Sequence, residues 1–182
     1  MKIQKHAKKV FTGVIFDVYQ WEQEMYDGST ATFERLKRPD TIQIICTEGN
    51  KIIIAEEEQP GKPRGNTLIG GRQEQEEEPI ICAKRELLEE TGMVSDDIEL
   101  FKTYEPYNKI DWKVHVFIAK NCKKIAEQNL DPGEKITVKK VSFDKFVDIV
   151  CTEDFWCKEI KIDILKMRLD GTLDEFKKKI FG

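Results

Sequence analysis

No run of apolar residues in this sequence approaches the roughly 18 that a membrane-spanning helix needs, and Met1–Lys9 has no apolar centre of the kind a secretory signal carries. A cytoplasmic location is the expectation. Histidine is scarce, with His6 and His115 alone, and the five cysteines (Cys46, Cys82, Cys122, Cys151 and Cys157) form no CxxC pair. That spacing argues against a zinc site, and the odd count predicts reduced thiols. Basic excess is also missing: 30 Lys and Arg stand against 34 Asp and Glu, a formal charge of -4. Such a balance gives no positive field to hold a nucleic-acid backbone, and a small anionic substrate would need a cation to screen it. Internal repeats and Gly/Ser linkers are absent too.

What remains is 182 residues with 40% apolar content, enough for one buried core. Val10–Glu22 alternates loosely and is rich in aromatic and β-branched residues, and Asp27-Gly28 turns it back into Thr30–Leu36, an N-terminal hairpin. Thr41–Cys46 and Ile52–Ala55 flank the turn-like Thr47–Lys51 and are apolar enough to be central strands. Gln59–Gly65 reads as a breaker-rich loop before Thr67-Leu68-Ile69. Further strands are expected at Ile98–Tyr104, Lys113–Ala119 and Ile136–Phe143, and helices at Pro79–Thr91, Phe143–Cys151, Glu153–Leu169 and Leu173–Ile180. This mixed order predicts an α/β (α+β) fold, a mixed sheet covered by helices.

The stretch Gly71–Met93 carries the chemistry. Glu76, Glu77 and Glu78 lie at the positive end of the helix dipole, Pro79 suits the first turn, and Gly92 suits a left-handed stop. At 100° per residue Glu86, Glu89 and Glu90 share a face, while Ile80, Ala83 and Leu87 make one apolar ridge and Ile81 with Leu88 another. Carboxylates at these spacings repel one another by a few tenths of a kcal/mol. A divalent cation reverses that sign: magnesium takes oxygen ligands and commonly joins one or two carboxylates to substrate phosphates. Gly70-Gly71 lets the main chain come close, so a backbone carbonyl could serve as a neutral ligand.

Gly71, then five residues, Glu77, then seven residues, and Arg85-Glu86-Leu87-Leu88-Glu89-Glu90-Thr91-Gly92-Met93 fill every fixed position of a motif that resembles the Nudix box. The resemblance implies the Nudix α/β/α sandwich and magnesium-dependent, or manganese-dependent, hydrolysis of a nucleoside diphosphate linked to another group. Carried over by position, Glu86 and Glu90 are the metal ligands, the Gly70 carbonyl completes the site, and Glu89 is a further ligand or the base. Arg85 and Glu77 organise the glutamates, with Gly71 and Gly92 as structural support. Glu134, in Asp131–Ile136, resembles an acidic loop of ADP-ribose hydrolases and is the base candidate outside the box; a plain polar turn explains it equally well.

Residues 1–40 resemble the β extension that precedes the catalytic domain, here 41–182, in ADP-ribose and nucleotide-sugar pyrophosphatases, where it pairs subunits into a homodimer. The substrate-binding candidates are Arg35, Tyr19 and Arg72, with Arg38, Lys62 and Arg64 as further phosphate contacts. Among the rings Tyr19, Trp21, Tyr104, Tyr107 and Trp112, about one is expected to stack on a base. Two departures bear on the substrate. Thr67-Leu68-Ile69 stands where that group carries a glutamate, and Glu56–Pro60 replaces its basic element. Pro106 lies near, but not on, a position that marks ADP-ribose enzymes. Two other readings stay open: a nucleotide-sensing module without turnover, and an acidic helix that binds a basic partner.

Overall fold

The computed structural model describes residues 3–182. Three antiparallel strands come first: β1 (Lys8–Thr12), β2 (Asp17–Glu24) and β3 (Thr30–Lys37). The single strand read over Val10–Glu22 is thus two. Gly13 divides them, donating its N–H to the Phe16 carbonyl at 3.0 Å, with that same oxygen only 2.6 Å from where a Cβ would sit.

The central strands β4 (Thr41–Glu48) and β5 (Lys51–Gln59) form a hairpin. Ile42, Ile44, Ile45, Ile52, Ile53 and Ile54 are all fully buried, because both faces of this sheet are covered and an unbroken apolar run is then stable. A strand absent from the sequence reading follows, β6 (Lys62–Thr67), which pairs antiparallel with β5. Then come α1 (Pro79–Thr91), β7 (Met93–Val94), β8 (Asp97–Tyr104), β9 (Ile110–Asp111), β10 (Val114–Lys120), β11 (Lys123–Lys124) and β12 (Lys135–Val141). The chain ends in α2 (Phe143–Val150), α3 (Lys158–Asp170) and α4 (Leu173–Phe181). The third of these expected helices begins at Lys158, not Glu153, since Phe155 is buried in the core and Trp156 bonds to β6 instead.

The main sheet runs β12-β5-β4-β10-β8, with β4 and β10 parallel and the other pairs antiparallel. One face packs Ile42, Ile44, Ile53, Ala55 and Phe117 against Cys82, Ala83 and Leu87 of α1. The other packs Ile45, Ile52, Ile54, Val116 and Ile118 against α2, α3 and α4. The expected mixed sheet between helices is what forms.

One irregularity positions everything functional. The β4–β5 pairing ends at Cys46 opposite Ile53. Beyond it the two strands part, and residues 65–72 fill the gap: Thr67 lies opposite Ala55 of β5, Ile69 opposite Ile44, and Arg72 opposite Thr41 of β4. This inserted segment carries Gly70 and Gly71 into the middle of the sheet, beside α1.

Candidate active site

α1 ends as its sequence demands. Gly92 adopts φ 69° and donates to the Leu88 carbonyl at 2.7 Å, and any Cβ there would collide with the Ala126 carbonyl. Its own carbonyl accepts from the Ile125 and Ala126 amides, while Asn129 N–H bonds to the Glu89 carbonyl at 2.8 Å and Gln128 to that of Glu90 at 2.6 Å. The helix end therefore anchors the loop that leads to Glu134. At the other end Glu78 is the N-cap, but its carboxylate makes no capping bond.

Glu86 and Glu90 are 8% and 5% exposed, turned inward between α1 and the inserted segment. Glu90 Oε2 accepts the Gly70 N–H at 2.9 Å. Burial pushes its pKa well above the usual carboxylate range, and the charges of Glu86, Glu57 and Glu134 push the same way. Burial likewise raises Glu86, to about 7, against the pull of Arg85. The site gathers negative charge where water does not relieve it.

Arg85 answers part of that charge. Its guanidinium reaches Glu77 at 3.0 and 3.1 Å, Glu86 at 2.8 Å, Glu89 at 2.8 Å and the Arg72 carbonyl at 3.2 Å. The bidentate bond from Arg85, aided by the Glu74 amide, holds the Glu77 carboxyl down at about 2. A planar fork with five donors can make this pattern and an ammonium cannot. Arg85→Ala is expected to lower turnover roughly 10- to 100-fold, as loss of groups that orient metal ligands does. Arg85→Lys should fail to restore it. Steady-state rates across a metal titration check this, and a variant within twofold of wild type would refute the hub role.

The residues fit a divalent cation. A Cβ on Gly71 would sit 2.6 to 2.8 Å from the carboxylate atoms of Glu86, so glycine leaves that carboxylate its space. The Ile69 and Gly71 carbonyls accept from the Ile44 and Ile42 amides, whereas the Gly70 carbonyl between them accepts no backbone bond among the described residues. Among those residues no three His, Cys, Asp or Glu side chains close on a single point. Glu86 is turned to Arg85 instead, and magnesium keeps several waters in place of a full protein cage.

A cleft of about 650 Å³ opens over these groups, and its wall includes Gly70, Gly71, Arg72, Arg85, Glu86, Glu89, Glu90 and Glu134. These eight residues singled out from sequence thus meet in one place, and Arg38, Lys62, Tyr107 and Trp112 join them there. Glu77 and Gly92 stand behind the wall in supporting positions. Tyr19 and Arg35 do not join it. Tyr19 lines a neighbouring groove with Lys9 and Asp17, and Arg35, 5% exposed, spends its guanidinium on the Asn108 carbonyl at 2.6 Å. Both lie on strands of the N-terminal sheet, whose direction relative to the box no local pattern reveals.

Sequence reasoning gave no site role to several wall residues, among them Glu57, Gln43 and Trp156. Glu57 is 8% exposed and bonds to Gln59. Its signal was present, since alternation along β5 places it on the face of Ile53 and Ala55. Gln43, a polar residue inside the isoleucine run of β4, lines the cleft with its side-chain oxygen buried and unbonded. Trp156 gave no signal, because only the β6 contact holds it in place.

The whole pattern of two buried glutamates, a glycine turn and one arginine hub occurs within a stretch that matches a known domain. Residues 36–155 fit the model of the NUDIX domain. The chain belongs to the Nudix hydrolase family. It is 27% identical over 172 residues to the ADP-ribose pyrophosphatase of Bacillus subtilis (strain 168), covering 91% of this chain and 92% of that protein. It is 24% identical to the methanol dehydrogenase activator of Bacillus methanolicus, covering 92% of each. A crystal structure of an ADP compounds hydrolase superposes with a TM-score of 0.72 over 92% of this chain and 93% of that one. At 18% identity that likeness shows the Nudix fold.

Proposed function

We propose that this Nudix protein hydrolyses the pyrophosphate bond of a nucleoside diphosphate linked to a second group, ADP-ribose or a nucleotide sugar first, giving a nucleoside monophosphate and a phosphorylated product. The observation that carries this is the buried pair Glu86 and Glu90, set against the Gly70-Gly71 turn, where Glu90 accepts the Gly70 N–H. Glu86, Glu90 and the Gly70 carbonyl would hold magnesium, or manganese in its place. When bound, such an ion neutralises phosphate oxygens and acidifies a water.

The chain's own groups do the rest. Glu134 is half-buried at the cleft, its pKa raised by burial, and its carboxylate is free of any ion pair among the described residues. In this reading it takes the proton of the attacking water, while the water oxygen bonds to phosphorus and the bridging P–O bond breaks. Glu89 is the second candidate, but Arg85 already holds it. Arg38 and Arg72, close enough that their charges oppose one another, line the same cleft and face phosphate charge.

Residues 1–40 would pair two copies of the catalytic domain, 41–182. Supporting this are the apolar side chains they leave exposed, Val10, Phe11, Val14 and Ile15. No helix among the described residues is long and apolar enough to cross a membrane.

Two measurements test the activity together. With magnesium or manganese, cleavage of ADP-ribose or nucleotide sugars should appear and be lost on chelation. Magnesium at about 100 times its Kd should stabilise the fold by roughly 2.7 kcal/mol. No cleavage of any pyrophosphate-linked nucleotide with either ion would overturn the proposal.

A further inference from the structure

Outside the cleft, three polar side chains from different parts of the main sheet join end to end. His115 of β10, 9% exposed, is one of the two histidines in the chain. Its Nε2 lies 3.2 Å from Asp40 Oδ2, and its Nδ1 lies 2.9 Å from Thr103 Oγ1 of β8. A carboxylate can only accept, so Nε2 carries a proton, and in the neutral ring Nδ1 accepts the Thr103 hydroxyl. Burial pushes the Asp40 carboxyl up, yet the His115 ring and the Lys113 amide outweigh it and hold the group below its ordinary range. None of Asp40, Thr103 and His115 lines the cleft.

The Asp40 carboxylate stands in for backbone. β4 and β10 run parallel from Thr41 opposite Val114, and the Thr41 N–H donates to the Lys113 carbonyl at 2.9 Å. A regular parallel ladder would send the Lys113 N–H to the carbonyl of Pro39. It donates instead to Asp40 Oδ1 at 2.8 Å. One carboxylate therefore fastens the entry of β4 to β10 twice, through the Lys113 amide and through the His115 ring.

The Asp40 carbonyl faces the other neighbour, the inserted segment. It accepts the Gln73 N–H at 2.9 Å, and the Gly71 carbonyl accepts the Ile42 N–H at 2.9 Å. These two bonds flank the Thr41–Arg72 pair, which itself exchanges none. The Arg72 carbonyl thus points away from β4 and accepts Arg85 Nη2 at 3.2 Å. Gln73 also donates its side-chain amide to the Glu77 carbonyl, behind the same guanidinium. Two bonds from the Asp40 carbonyl, the chain reaches the fork that holds Glu77, Glu86 and Glu89.

We infer that Asp40, locked by His115, is a positioning residue for the metal site, acting through the Gln73 amide and the Arg72 carbonyl on Arg85. With the carboxylate removed, the entry of β4 is no longer fixed to β10, and the Asp40 carbonyl shifts with it. Arg85 then loses a fixed point, and Glu86 and Glu89 lose their orientation. This rests on the metal-dependent hydrolase reading and adds the residues that hold its ligands from outside the cleft.

Magnesium affinity of the substrate-free protein, measured by titration calorimetry, is the first readout. Asp40→Ala should weaken it about tenfold, the low end of what loss of an outer partner costs. At saturating magnesium kcat on ADP-ribose should fall by several-fold while KM changes by less than about twofold, as for a group that acts on the chemistry and not on nucleotide binding. Asp40→Asn should restore most of both, because its amide oxygen can take the Lys113 N–H and its NH2 can face the other imidazole tautomer. In an Arg85→Ala background Asp40→Ala should add less than about twofold, since both act along one path. A merely structural role would lower the melting temperature and leave the magnesium affinity of the folded fraction unchanged. That result, or a full tenfold loss in the Arg85→Ala background, would overturn the inference. If Asp40→Ala does not fold, His115→Leu, with an expected loss of about threefold, carries the same comparison alone and with Arg85→Ala. Absence of cleavage by wild type fails the hydrolase reading, while calorimetry still decides the role of Asp40. Cleavage with magnesium affinity indifferent to Asp40 does the reverse.

Discussion

Glu90→Gln should lower metal-dependent hydrolysis by at least about a hundredfold, more than loss of an orienting group costs, while making the metal-free protein more resistant to heat. The opposite signs share one cause. Glu90 is a carboxylate buried beside Glu86, Glu57 and Glu134, and a buried charge without a counter-ion destabilises the fold that contains it. Glutamine keeps an oxygen for the Gly70 N–H, bonded at 2.9 Å in the parent, and removes the charge. The stabilisation by magnesium should therefore vanish together with turnover. Thermal melts with and without magnesium, beside the phosphate-release rate, read both quantities. Unchanged magnesium stabilisation in the variant would place the ion elsewhere.

Gly70→Ala should damage both fold and site. Gly70 holds φ 140°, and a Cβ there collides with the Ile42 carbonyl and approaches Gln43 Cα at 3.0 Å. Backbone atoms cannot swing aside as a side chain would. A strained φ and a backbone clash in a sheet centre together cost about 3 to 5 kcal/mol, a drop of roughly 10 °C or more for a chain of this size. Relieving the clash moves the amide that bonds Glu90, so the surviving fold should also lose metal affinity. A melting temperature within about 2 °C of the parent would show that the segment adapts freely. Gly61, with φ 76° and nothing within 4 Å of a Cβ, is the control: alanine there should cost far less.

The box was readable because its requirements are local. A helix with Pro79 at its start and Gly92 at its stop places Glu86, Glu89 and Glu90 by angle alone, and the structure seats them where the angle says. The central isoleucine strands were equally plain, since burial on both faces leaves a continuous apolar run. β6 was hidden for the opposite reason. Pro63 and Gly65 read as breakers, yet this strand lies beside only one stretch of β5, and Gly65 is small to admit Trp156. Its stability comes from partners remote in sequence. Arg35 and Tyr19 show the same limit: alternation fixes which side of a strand a residue occupies, not which cavity that side meets. The family resemblance suggested a role for each glutamate, and the structure added Glu57, Gln43 and Trp156 to the wall of the same cleft.

The parting of β4 from β5 has a consequence for how the chain reaches this state. The hairpin joining them is local and can form early, but beyond Cys46 and Ile53 each strand then presents a row of unpaired backbone groups. Such edges recruit whatever extended chain is near. Residues 62–72 close them only on arrival, and their Pro63, Gly65, Gly70 and Gly71 make them a poor strand on their own. Assembly of the Gly70-Gly71 turn is therefore the same event that removes an aggregation-prone edge, and a newly made chain remains vulnerable until its candidate site exists.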